Sequence, residues 1–130
     1  MVHTPVKFVF PLILAVCAVL TFSHAKTWRT ERDVWENAVS ISPLAPGAHL
    51  GLGLAYQRLG DFSRAEYEYD EVIDLSRGTE AEPIYIFSVG VNLAKILKLS
   101  GKMGLREALL DHLADQFPEQ RQAIAFLKNE

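Results

Sequence analysis

Cysteine is almost absent from this sequence: Cys17 is the only one among 130 residues. A single cysteine excludes a disulfide within the chain and a metal site built from several thiolates. The four histidines are scattered and lack the H-E-x-x-H spacing of a zinc peptidase. No serine, histidine and aspartate are arranged as a catalytic triad would need. We therefore expect no metal, no other cofactor and no enzymatic activity.

Positive charge is also scarce. The chain has 13 Lys or Arg residues against 16 Asp or Glu, a net charge of −3. Residues 27 to 80 are the most acidic part, with five Lys or Arg against ten Asp or Glu. Proteins that bind nucleic acids carry clustered basic residues that contact the phosphates, and this chain shows no such stripe. Nucleic acid is therefore not an expected partner.

Charge of either sign is missing from residues 8 to 25, an apolar stretch of 18 positions. A helix of that length is just able to cross the core of a bilayer. The stretch ends in Ser23-His24-Ala25, which has the small-x-small form of a signal-peptidase site. Two interpretations of residues 1 to 26 stay open, a retained transmembrane helix and a cleaved signal segment. We predict a single-pass membrane protein, and the alternative is a periplasmic or secreted protein cleaved near Ala25. The basic residues that flank the stretch, Lys7 on one side and Lys26, Arg29 and Arg32 on the other, differ too little to decide the side of the helical domain, for which an extracytoplasmic position is favoured over a cytoplasmic one.

From residue 27 onward, apolar residues recur at spacings of three and four, and proline or glycine interrupts the pattern. This periodicity is typical of amphipathic helices, and no segment alternates as a strand would. Gly60 followed by Asp61 is predicted to end one helix and cap the next. The predicted helices cover residues 28 to 41, 46 to 59, 62 to 75, 82 to 99, 105 to 117 and 119 to 127. We therefore expect an all-α fold.

The third predicted helix carries a cluster of carboxylates, Glu66, Glu68, Asp70, Glu71 and Asp74. Their spacing distributes them around one side of the helix, opposite the apolar face. A water-facing surface, not a catalytic cluster, is the interpretation that this pattern favours.

Residues 46 to 79 follow the spacing W-x2-L-G-x2-Y…A-x3-F…P, the signature of the tetratricopeptide repeat. The matching residues are Leu52, Gly53, Tyr56, Ala65 and Tyr69, and His49 stands where the tryptophan would be. The same frame holds 34 residues earlier, where Trp35, Ala38 and Pro43 correspond to Tyr69, Val72 and Arg77. Over roughly residues 31 to 118, the chain resembles the tetratricopeptide family.

The resemblance implies a short stack of helical hairpins, about two and a half repeats, within a domain covering residues 27 to 130. Its parts are a half repeat at 28 to 43, a full repeat at 46 to 79, a divergent repeat at 82 to 117 and a capping helix at 118 to 129. The divergent repeat departs from the signature at Arg106, which stands at the alanine position. Such stacks usually need about three repeats, so the last helix or a partner should cover one end.

In the tetratricopeptide family, the first helix of each hairpin lines an inner binding groove. The resemblance therefore implies a groove lined by Leu50, Gly51, Leu54, Gln57 and Arg58. This strip is mostly apolar and suits an apolar helix or segment of a protein partner. The alternative is that the strip packs against the helix predicted at 82 to 99. The expected function is a membrane-associated scaffold or adaptor, anchored through residues 8 to 25.

A second resemblance concerns the junction FSHAKTWRTERDVWENAVSISPLAPGAHLGLGLAY. It is similar to the membrane-to-repeat junction of multi-spanning O-mannosyltransferase-like proteins that carry tetratricopeptide tails. The alternative function that this implies is the carboxyl-terminal tail of such a glycosyltransferase. The matching residues do not include the catalytic acidic residues of that family, so no catalytic role is assigned.

Overall fold

A computed structural model describes residues 6 to 129, without the side chains of residues 6 to 12 and 21 to 29. Within this part of the chain all regular structure is helical, which confirms the predicted all-α class. The helices are α1 (Val6–Ile41), α2 (Pro46–Arg58), α3 (Phe62–Ser76), α4 (Glu82–Leu99), α5 (Met103–Gln116) and α6 (Arg121–Asn129). A short 3-10 helix, Pro118–Gln120, precedes α6.

The turn between α2 and α3 follows from two adjacent residues. Gly60 has φ of 78°, a conformation that side chains with a Cβ disfavour and that commonly ends a helix. The Asp61 carboxylate then accepts a hydrogen bond from the Arg64 backbone amide at 3.2 Å. This bond satisfies one of the amides that a helix leaves unpaired at its start. The predicted stop and cap are confirmed.

Helix α1 joins two segments that the sequence analysis treats separately, residues 8 to 25 and residues 28 to 41. Residues 13 to 20 are exposed, whereas Trp35 and Val39 pack against the rest of the protein. No helix among the described residues is long and apolar enough to cross a membrane. The predicted transmembrane helix is thus not confirmed. Residues 1 to 5 and the side chains of 6 to 12 and 21 to 29 lie outside the description.

The first hydrophobic core lies between α2, α3 and α4. Its buried members are Leu52, Tyr56, Ala65, Tyr69, Val72, Val89 and Ile96. Trp35 and Val39 of α1 pack against it from one side. The buried face of α1 is narrow, since its apolar residues Val34 and Ile41 are 59% and 72% exposed.

A second core joins α4, α5 and α6. It consists of Ala94, Leu110, Leu113, Phe117 and Ile124. The Phe87 and Phe117 rings meet edge to face with their centroids 5.5 Å apart, a favourable geometry for aromatic pairs. Helix α4 contributes to both cores and so holds them together.

Two glycines of α2 permit close helix packing. A Cβ at Gly53 would lie 2.6 Å from the Tyr69 ring, and a Cβ at Gly51 would lie 2.4 Å from the Trp35 ring. Both distances are shorter than any side chain tolerates, so α2 can approach its neighbours only with glycine at these positions. The close approach of α2 to α1 and α3 therefore depends on these two glycines.

Candidate functional site

The strip predicted to line a groove on α2 is largely filled by the protein itself. Gly51 is buried against Trp35, and Leu50 packs against the first core. Leu54 and Gln57 are half-buried, while Arg58 is exposed and forms an ion pair with Glu31 of α1. Only Leu54, Gln57 and Arg58 therefore present side chains to a partner. The sequence pattern could not reveal this, because it does not show which residues of α1 cover α2.

The residues that match the repeat signature lie mainly in the interior. Five of them are buried: Leu52, Gly53, Tyr56, Ala65 and Tyr69. Trp35 and Ala38 are half-buried, and Pro43 is exposed. These residues position the helices and offer little surface to a ligand.

A cavity of about 310 Å³ opens beside Gln57, between α2, α4, α5 and α6. Its apolar wall consists of Val91, Ala94, Leu99 and Leu127, and its polar wall of Gln57, Lys95, Lys98 and Arg106. Among the described residues that line it, none is acidic. The cavity therefore combines apolar surface with three cations.

Arg106 is the most buried of these cations, with only 4% of its surface exposed. Its Nη2 donates a hydrogen bond to the backbone carbonyl of Leu127, which ties α5 to the end of α6. Within the part of the chain that the structure describes, no carboxylate forms an ion pair with Arg106. Lys95 and Lys98, three positions apart on one face of α4, are both exposed.

Gln57 is held in place by α3. The Tyr69 hydroxyl donates a hydrogen bond of 2.6 Å to Oε1 of Gln57. Burial raises the pKa of the Tyr69 hydroxyl, outweighing the opposite effect of Arg58, so the donor stays protonated at physiological pH. Because its oxygen is engaged, Gln57 has amide N–H groups to donate at the cavity.

A buried polar contact lies between α2 and α3, where the sequence analysis expects a water-facing carboxylate. Nδ1 of His49 lies 2.7 Å from Oε2 of Glu68, and Nε2 lies 3.0 Å from the Pro43 carbonyl oxygen. Glu68 is 8% exposed, so its prediction as a water-facing residue is wrong. Its other predicted companions, Glu66, Asp70 and Asp74, are exposed and Glu71 is half-buried. His49 and Glu68 are 19 positions apart in the sequence, so the spacing of residues within one helix could not predict their contact.

The surroundings of His49 favour the charged form of its ring. Burial by itself lowers the pKa of His49, but the hydrogen bonds to Glu68 and to the Pro43 carbonyl, with the nearby carboxylates of Glu68 and Glu71, outweigh it. The pKa is raised above its ordinary value of 6.5. A ring whose two nitrogens face a carboxylate and a carbonyl donates to both only when doubly protonated.

The remaining polar contacts of this region also lie between helices. Over the described residues, no group of three His, Cys, Asp or Glu side chains could hold a metal ion. The Tyr56 hydroxyl donates to Glu36 at 2.8 Å, and the Arg64 guanidinium lies 5.4 Å from the centre of the Tyr56 ring. These contacts, like that of His49, join neighbouring helices.

Comparisons with protein families, with curated proteins and with solved structures found no match for this chain.

Proposed function

We propose that this protein is a non-catalytic, membrane-associated scaffold, built on hairpins of tetratricopeptide type, that holds a protein partner near a bilayer. The observation that carries the membrane part is the segment ILAVCAVL, residues 13 to 20 of α1, in which every residue is apolar and exposed. A helix that is apolar on all sides needs a covering of lipid or protein. The same helix continues into the first core through Trp35 and Val39, so a covering of lipid would place the domain at the bilayer.

The order and packing of the helices support the repeat part of the proposal. Successive helices pack as neighbours, α1 on α2, α2 on α3, α3 on α4 and α4 on α5. The glycine at Gly53 and the alanine at Ala65 lie at buried positions where the signature calls for small residues. Repeats of this kind bind other proteins through the surface that remains after stacking.

Fractionation tests the membrane part. Native membrane and soluble fractions are blotted with an antibody to residues 27 to 130. A membrane band near 14.5 kDa is expected. A soluble band lighter by about the first 25 residues would instead indicate signal cleavage. A much heavier membrane band would support the alternative, the tail of a larger glycosyltransferase.

Arginine substitutions test whether the membrane association depends on the exposed segment 13 to 20. Replacing both Val16 and Val19 by arginine should move the protein to the soluble fraction, because charged side chains in the bilayer core cost several kcal/mol. The control is Val34→Arg, since Val34 is equally exposed on the same helix but lies beyond residues 13 to 20. Equal behaviour of the two variants would contradict anchoring through this segment.

The partner is proposed to contact the open end of α2, at Leu54, Gln57 and Arg58. Leu54→Arg should weaken capture of the partner and leave the melting temperature of the domain unchanged. Leu44→Arg is the matched control, because Leu44 is 79% exposed in the connection before α2. Loss of binding together with unfolding in Leu54→Arg would count against this surface.

A further inference from the structure

The connection between α1 and α2, residues 42 to 45, contacts a buried histidine of α2. Nε2 of His49 lies 3.0 Å from the Pro43 carbonyl oxygen, while Nδ1 of the same ring lies 2.7 Å from Oε2 of Glu68 on α3. His49 and Glu68 are buried, whereas Pro43 and Leu44 of the connection are exposed. One imidazole ring therefore joins the connection, α2 and α3.

The number of N–H groups on the His49 ring decides whether both contacts persist. An ionised carboxylate and a carbonyl are acceptors only, so each needs an N–H from the ring. The charged ring has two N–H groups and donates to Glu68 and to Pro43 at once. The neutral ring has one N–H, and its other nitrogen becomes an acceptor that faces a second acceptor. One of the two hydrogen bonds is therefore lost when His49 loses its proton.

The hydrogen bond that is lost should be the one to Pro43. A bond to an ionised carboxylate is roughly twice as strong as a bond to a neutral carbonyl, so the remaining N–H should stay on Nδ1, next to Glu68. Leaving the buried Glu68 without a donor would be costly, whereas the carbonyl of the exposed Pro43 can accept from water. The neutral ring therefore keeps its contact with α3 and gives up its contact with the connection.

Helices α1, α3 and α4 all pack against α2, and each brings titratable groups towards it. Burial lowers the pKa of His49, but its hydrogen bonds and the carboxylates of Glu68 and Glu71 on α3 outweigh this effect and raise the pKa above 6.5. Glu36 of α1 accepts from a tyrosine hydroxyl two turns further along α2, and the Tyr85 hydroxyl of α4 lies near the start of α2. The second N–H of His49 is thus present below the ordinary histidine pKa and is lost as pH rises through the folded-state value.

We propose that His49 is a pH-sensitive clamp between the connection and α3. In its charged form the ring holds the Pro43 carbonyl and Glu68 together, and in its neutral form it keeps Glu68 and releases residues 42 to 45. The connection joins α1, which carries the exposed apolar segment 13 to 20, to the rest of the domain. A rise in pH should therefore make the connection more mobile while α2 and α3 stay packed. The clamp does not depend on the proposed membrane role.

The first test is the protonation state of the ring in the full chain purified in detergent. Nitrogen-15 NMR of the His49 imidazole distinguishes the charged ring from its two neutral tautomers. Over a titration from about pH 5 to about pH 10, the charged ring should give way to the neutral ring with its proton on Nδ1. A neutral ring with its proton on Nε2 would overturn the proposal, because that tautomer would keep Pro43 and release Glu68.

The second test follows the connection in the same titration. Ala45 and Ala81 are half-buried residues that each precede a helix with proline in its first turn, so their methyl groups form a matched pair. NMR relaxation of the Ala45 methyl should show greater mobility as pH rises, with the same midpoint as the His49 ring, while the Ala81 methyl stays unchanged. Constant mobility of Ala45, or an equal change at Ala81, would contradict the clamp.

Two variants connect the mobility of Ala45 to the ring. Glu68→Gln replaces the carboxylate by a neutral amide of similar size, so the Ala45 transition should move to lower pH. His112→Gln is the control, because His112 is exposed on α5 and its loss should leave the Ala45 transition in place. Equal transitions in the two variants would count against His49 as the titrating group. If Glu68→Gln failed to fold, the tautomer and the Ala45 methyl of the unaltered chain would still decide the question.

Discussion

At the scale of single residues, the contact between His49 and Glu68 is the feature with the clearest consequence for stability. It joins α2 to α3 inside the protein, and Nε2 of His49 also contacts the carbonyl of Pro43 in the connection between α1 and α2. Losing one member of a buried charged pair leaves the other uncompensated. The pair therefore stabilises the hairpin most when both ring nitrogens of His49 are protonated, because the neutral ring has only one N–H to donate.

The stability of the domain should fall as pH rises through the folded-state pKa of His49. That pKa is raised above 6.5, so the contribution is fully present below the ordinary histidine pKa and is lost above the folded value. Glu68→Gln should lower the free energy of unfolding by about 1 to 3 kcal/mol at about pH 6, and by less at about pH 9. Urea unfolding of both proteins at the two pH values measures the difference.

Glu66→Gln is the control for this pH dependence. Glu66 is exposed on the same helix, and its loss should change the free energy of unfolding by less than about 0.5 kcal/mol at either pH. An equal loss from Glu68→Gln at both pH values would show that His49 is not charged in the folded protein.

Gly53 provides a second prediction at this scale. Gly53→Ala places a Cβ 2.6 Å from the Tyr69 ring, so the free energy of unfolding should fall by about 1 to 3 kcal/mol. In the same helix, Gly47→Ala would meet only the Tyr85 hydroxyl at an ordinary 3.6 Å and should be neutral or slightly stabilising. Chemical denaturation of both variants tests the contrast. If Gly53→Ala were as stable as Gly47→Ala, the close packing of α2 on α3 would be refuted.

At the scale of elements, the last helix, α6, covers the end of the helical domain. The sequence pattern predicts a capping helix at 118 to 129, and the structure places α6 there after a short 3-10 turn. Ile124 is 1% exposed within the second core, and Arg106 ties α5 to the carbonyl of Leu127. Helix α6 thus covers an apolar face of α5 that would otherwise meet water.

Ile124→Ala should lower the free energy of unfolding by about 2 to 5 kcal/mol, because it removes buried methyl groups and leaves a cavity. Phe126→Ala is the control in the same helix, since Phe126 is 67% exposed, and its effect should stay within about 0.5 kcal/mol. Thermal melting followed by circular dichroism compares the two. Similar losses from both would mean that α6 does not pack as described.

At the scale of the whole molecule, helix α4 couples the two cores. Val89 and Ile96 belong to the first core and Ala94 to the second, all within one helix. When two neighbouring hydrophobic cores share a helix and both pack tightly against it, they are expected to unfold together.

The chain should therefore unfold in a single transition. Trp28→Phe leaves Trp35 as the only tryptophan and thus as a reporter of the first core. In that background, Ile124→Ala should shift the fluorescence transition as far as the circular dichroism transition, although residue 124 lies in the second core. A fluorescence transition that stayed in place would show that the cores unfold independently.

The residue pattern along the chain was enough to predict the helices and the turns between them. Apolar spacing specified α2 to α5, and Gly60 with Asp61 specified a turn, because these signals act between residues a few positions apart. Gly53 could be predicted as a point of close packing for the same reason: glycine is costly inside a helix unless the missing side chain is needed.

Contacts between distant residues were decided only by the tertiary structure. Packing of Trp35 on Gly51 filled much of the predicted groove, and His49 drew Glu68 into the interior. The cations at the cavity come from helices separated in sequence, with Arg106 on α5 and Lys95 on α4. No local sequence pattern predicts these contacts, because they depend on which helix faces meet when the helices pack. The pairing of helix faces is determined by burial of all the apolar faces together.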